Sequence, residues 1–150
     1  MALLSDPYAL AATGSLIIQF IVLFLLFYGY SLKRKLKFLQ HGKTMAVALV
    51  LHLIMIFALM IPSFAYAVLP SYIIPFPLQL ISIIGLLHGI AGILVMILGG
   101  WLVAAWHFSK EFTGCYKRKL IMRVTIAAWI SALILGIVLY LLFYGAVLLS

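Results

Sequence analysis

The chain has 150 residues, 68% of them hydrophobic, and a mean hydropathy of +1.34. A soluble domain cannot cover that much apolar surface, whereas a bilayer can. The net charge of +8 could suit nucleic acid, but the Lys and Arg residues gather in two clusters between hydrophobic runs, Lys33, Arg34, Lys35, Lys37 and Lys43, then Lys110, Lys117, Arg118, Lys119 and Arg123; this is a positive-inside pattern with contact to anionic lipid heads, and it argues against a nucleic-acid partner.

In chain order, the N-terminal stretch MALLSDPYALAATGS has no basic n-region, so the first span is expected to be retained rather than cleaved as a signal peptide. Four apolar runs follow. They are Ser15 to Leu32, Thr44 to Tyr66, Leu78 to Phe108 and Leu120 to Leu149. Each reaches or nearly reaches the roughly 20 residues that cross hydrocarbon. The fold expected is all-α, a single four-helix transmembrane domain over residues 1–150.

The loop between spans two and three, AVLPSYIIPFPLQ, has no Lys or Arg, and neither terminus has any. The basic loops are therefore expected in the cytoplasm and both termini outside, in a cytoplasmic (plasma) membrane. Pro70, Pro75 and Pro77 are expected to keep the outer loop from being one continuous helix. Tyr66, Tyr72 and Phe76 suit the outer interface, and Trp101, Trp106 and Phe108 the inner one. A straight third span would be about 46 Å long against a core of about 30 Å. It must either project from the membrane or bend, and Gly99-Gly100 is the place for a bend. The single cysteine, Cys115, lies in a basic loop and excludes an intrachain disulfide.

The histidines carry the chemistry. There are four: His41 at the cytoplasmic entry of span two, His52 within it, and His88 and His107 in span three. Polar side chains inside a span are costly and are usually functional. His41 and His52 are eleven residues apart, about 16 Å along a helix and almost on one face. Because span three runs the other way, helical rise places His88 within about 6 Å of the height of His52, and His107 near that of His41. Two imidazoles at one depth could bind a haem iron from both sides, and two such pairs would hold two haems. His88 and His107 are nineteen residues apart, which sets them about 100° out of phase on an ideal helix, so His88 is the firmer of the two. Gly85, Gly89 and Gly92 remove bulk beside His88, either for a planar ligand or for close helix packing. Each histidine has a plainer reading, a hydrogen bond to a neighbouring helix for His52 and hydration at the interface for His41. Met45, Met55, Met60 and Met96 read as apolar filler rather than axial thioethers.

Other chemistries lack their residues. No carboxylate lies in any span, so a di-iron carboxylate site or a carboxylate proton relay has no ligands. The sequence has no glycine-rich phosphate loop, zinc-spaced cysteine set or acidic partner for Ser82 or Ser131.

The segment RVTIAAWISALILGIVLY, through Arg123, Thr125, Trp129, Ser131, Gly136 and Tyr140, resembles the closing helix of domain-of-unknown-function family 420. Span two, with His41 followed by Met45, and His88 in span three are similar to that family's histidine-bearing helices, so the resemblance covers about the last two-thirds of the chain. The family contains small polytopic membrane proteins, including a factor needed to mature haem–copper oxidases. Ala127 stands where the family often has proline, and Tyr66 and Arg118 fall near two of its histidine positions. Only His41 and His88 carry over as the resemblance implies.

The function expected is a b-type haem protein with one or two bis-histidine haems. It would transfer electrons across the membrane or handle haem for a respiratory oxidase, acting as carrier or assembly factor rather than as an enzyme with its own substrate. Its partners would be the bilayer, a respiratory complex or the quinone pool, and a second copy of itself. The alternative is a cofactor-free accessory or assembly subunit. Copper handling is weaker, because the methionines do not cluster with the histidines.

Overall fold

The computed structural model describes residues 7–108 and 118–148, with side chains described to 107 and 145. Four long helices account for nearly all of it. They are α1 (Pro7–Arg34), α2 (Phe38–Ile73), α3 (Leu80–Phe108) and α4 (Lys119–Leu148). All four are long and apolar enough to cross a membrane. Short connections make the order up-down-up-down. The α1–α2 turn and the start of α4 form a basic end; the α2–α3 turn lies at the other. α1 packs chiefly on α2 and α3 on α4, and α2–α3 and α1–α4 contacts join the two pairs. The second basic loop, including Cys115, Lys110 and Lys117, lies outside the described residues, as does the side chain of Phe108.

The bundle is apolar on its outside as well as its inside. Phe24, Phe57, Ile97 and Leu120 are all more than half exposed. The core is a small cluster of Val22, Leu26, Ala48, Val95 and Trp129, with contributions from every helix. In water such a surface would drive aggregation, and in hydrocarbon it is simply solvated. This is an integral membrane protein with four spanning helices.

Three local details refine the sequence expectation. α1 already includes Pro7, well before Ser15. α2 runs through Pro62 and Pro70 and stops only at Ile73. It does so by widening into π-helical turns at Ile56–Met60 and Phe64–Ile73. A proline cannot donate to the ladder and crowds the carbonyl four residues back; a wider turn relieves both problems. Pro75 and Pro77 then lie in the turn, where the Ser82 hydroxyl donates to Tyr72 O and Phe76 O at 3.0 and 2.8 Å and ties it to α3. Finally, α3 crosses Gly99-Gly100 as one uninterrupted helix. Gly99 is used for packing: a Cβ there would come within 3.1 Å of Leu49 Cδ1 on α2.

At the basic end, α1 closes in a Schellman turn. Lys37 N donates to Leu32 O at 3.0 Å and Leu36 N to Lys33 O at 3.1 Å. Leu36 takes the left-handed position, φ 59°, normally left to glycine. The opposite end is aromatic. Tyr140 O–H donates to Thr13 Oγ1 at 2.9 Å, joining α4 to α1, and Tyr72 meets Phe143 edge-on at 5.2 Å.

Candidate functional site

The four histidines fall into two groups along the bundle. His41 lies in the first turns of α2, buried at 8% exposure. It is therefore not the hydrated interfacial residue that its neighbour Lys43 suggested. Its Nδ1–H donates to Gly29 O of α1 at 2.8 Å. That bond fixes the tautomer and leaves Nε2 as a lone-pair donor, the usual arrangement of a metal-binding imidazole. The close approach depends on two glycines. A side chain at Gly29 would collide with Met45 Cε, and one at Gly42 with the Trp106 indole of α3.

His41 and His107 line the same cavity, from α2 and α3. Its volume is about 680 Å³, within the roughly 300–1,000 Å³ of small-molecule sites. The inner walls are apolar and aromatic, with Leu26, Leu49, Ile126 and Trp129. Lys33, Arg34, Arg118, Lys119 and Arg123 surround the basic-end mouth. Arg118 is held in place: one guanidinium N–H donates to Ala105 O at 3.3 Å, and the group lies 5.4 Å over the Trp101 ring.

His52 and His88 form the second group, near mid-bundle, where they meet Trp129 and Ala132 of α4, three residues apart. The depth argument therefore brings the expected residues together in both cases. The upper two, however, are packed tightly against α4. His88 Nδ1–H donates to Ala132 O at 2.9 Å, and Gly136, one turn on, leaves just enough room, since a Cβ there would lie 3.0 Å from the imidazole Cε1. His52 is 3% exposed, and its ring is tilted on Trp129 with centroids 4.8 Å apart. Gln19 of α1 donates its amide N–H to His52 Nδ1 at 3.2 Å, which puts the ring proton on Nε2. That Nε2 and the Trp129 Nε1 are buried without a hydrogen-bond partner among the described residues.

The glycines beside His88 behave differently from one another. A Cβ at Gly85 would lie 3.8 Å from Val68 Cγ1 of α2, whereas one at Gly89 or Gly92 would meet no other part of the described bundle within 4 Å. Neither His52 nor His88 is among the residues lining the basic-end cavity. Among the described residues no group of three or more His, Cys, Asp or Glu side chains comes together, so a metal held by protein ligands alone has no candidate there. Haem is a different case, because the porphyrin supplies four nitrogens and the protein need add only axial ligands.

Gln19 was missed from the sequence, although an amide alone in an apolar span is the kind of signal that could have found it. Gly29 had no comparable signal, since its role depends on where Met45 and His41 fall on the next helix. No family model, curated protein or solved structure matches the chain.

Proposed function

We propose that this integral membrane protein binds a b-type haem in the basic-end cavity, where His41 and His107 would hold it. It would serve transmembrane electron transfer or haem handling for a respiratory oxidase. The carrying observation is that these two imidazoles, from neighbouring helices, line one cavity of about 680 Å³ with apolar walls and a cationic mouth. His41 has the donor chemistry for such a group. Nε2 of His41 keeps its lone pair because Nδ1–H is committed to Gly29 O. Bound haem would supply one-electron redox chemistry. The chain would hold and orient the ring, exclude water with Leu26, Leu49 and Trp129, and set the potential through burial and the Gly29 bond to His41. In this reading the basic end faces the cytoplasm. The packing of His52 and His88 on α4 favours one haem rather than two.

The test is a reduced-minus-oxidised spectrum of purified protein, supplied with hemin, beside the four His→Ala variants. One low-spin haem is expected. It should be lost or converted to high spin in His41→Ala and His107→Ala and unchanged in His52→Ala and His88→Ala. A folded protein that gives no low-spin bands with excess hemin refutes the reading, and so does loss of the spectrum only in the His52 and His88 variants. A second reading, a cofactor-free accessory or assembly subunit, is favoured by one observation. His41, His52 and His88 each already hydrogen-bond a different helix and so act as polar glue within the bundle. The absence of low-spin bands would select it.

A further inference from the structure

The basic-end cavity is polar at one end only. Along α4 its lining runs from Lys119 at the mouth to Trp129 in the core, ten residues or about 15 Å of helix. The cations stay at the mouth: Lys33 and Arg34 from the end of α1, Arg118, Lys119 and Arg123 from the start of α4. The inner wall includes Leu26 and Trp129, both members of the apolar core. An occupant matching this profile has a broad apolar body and acidic groups on one edge.

The charge balance points the same way. The sequence has ten Lys and Arg but only two carboxylates, Asp6 and Glu111. Even if both faced the mouth, they could not neutralise five cations. The chain cannot supply a carboxylate for each of them, and an anion at the edge of an apolar cavity is screened less than one in open water. Arg118 is already oriented by Ala105 O and the Trp101 ring, so less freedom is lost when it takes up an anion. Guanidinium groups also match carboxylates through paired N–H donors.

We propose that the cavity mouth is a carboxylate subsite, in which Arg118 and Arg123 hold the two propionate groups of the haem. The apolar edge of the ring then points inward, toward Leu26 and Trp129. This inference rests on the haem reading above, and the experiment separates the two. Apoprotein in a neutral detergent is titrated with hemin and, in parallel, with hemin dimethyl ester, which has the same iron and ring but no carboxylates. Binding is followed by the low-spin bands that distinguish ligated from micelle-dissolved hemin, and by tryptophan quenching. Hemin should bind roughly tenfold or more tightly than its ester, the effect of losing charge-assisted hydrogen bonds. Arg123→Gln should weaken hemin by a similar factor and leave ester binding unchanged. Arg34→Gln, away from α4, should have a smaller effect. Equal affinities for hemin and its ester would overturn the carboxylate subsite while leaving haem binding intact. So would an Arg123→Gln variant that weakens both ligands alike, because that residue would then act on the fold. If neither ligand produces low-spin bands, the haem reading fails and the subsite fails with it.

Discussion

Replacing Gly42 by alanine tests how the basic end is assembled, because two opposing effects meet there. Alanine is favoured over glycine in a helix interior by about 1 kcal/mol. The added Cβ, however, would collide with the indole of Trp106, at Cε2, Cζ2 and Cδ2. An indole is rigid and cannot fold back as the Met45 thioether opposite Gly29 can. Overpacking of this kind costs typically 1–3 kcal/mol. Subtracting the propensity gain leaves a net loss of up to about 2 kcal/mol. Gly89→Ala is the internal reference, since nothing lies within 4 Å of a Cβ there. It should be stabilised by up to about 1 kcal/mol, so the two variants should differ by about 1–3 kcal/mol. Reversible unfolding in mixed micelles, followed by far-UV circular dichroism, measures the difference. Trp106 emission should shift in Gly42→Ala alone. If both variants gain stability equally, the indole does not lie on Gly42, and the α2–α3 contact that places His41 and His107 on one cavity is wrong.

Two further predictions are independent of that contact. A cysteine introduced at Lys35 should react with impermeant thiol reagents only from the cytoplasmic side, because the α1–α2 turn and the start of α4 are both basic and share one end of the bundle, and labelling from outside intact cells would reverse the expected topology. Leu36→Gly should raise stability by about 1 kcal/mol or less, since it removes the strain of a left-handed leucine at φ 59° but gives the unfolded chain more freedom; a lower melting temperature in the same micelles would show that the Leu36 side chain matters more than its backbone.

Much of this architecture was legible in the sequence because hydrocarbon imposes a simple rule. A segment that crosses must satisfy its own backbone and stay apolar for about 20 residues. Four runs meet that rule, and four helices result. The exact ends were not legible for the same reason. Ala9, Leu10 and Ala11 precede the first apolar run, which begins at Ser15, yet α1 includes them. Pro70 marks the end of an ordinary helix, but it could not reveal that the ladder would widen into π turns and continue to Ile73. Gly99-Gly100 was ambiguous in a different way. A glycine pair permits a bend and also permits contact, and only the position of Leu49 on the neighbouring helix decides for contact.

The site was legible in depth and not in openness. Counting residues along two antiparallel helices placed His52 beside His88 and His41 level with His107, because rise per residue is nearly invariant. What surrounds each imidazole depends on the other two helices, which the count ignores. Gln19 of α1 and Trp129 of α4 close on His52, while Ala132 O and the gap at Gly136 take up His88. At the basic end the same two helices act differently. α1 offers Gly29, whose carbonyl orients His41 without a side chain to fill the space, and α4 begins with Arg118, Lys119 and Arg123 around the mouth. The two histidine groups are thus alike on α2 and α3 and are distinguished by α1 and α4. The upper group joins helices in the middle of the membrane, where an unpaired polar group has no water to turn to. The lower group adjoins a cavity that reaches from charged residues to the apolar core. A ligand with an acidic edge and a flat apolar body is matched by the second environment and not by the first.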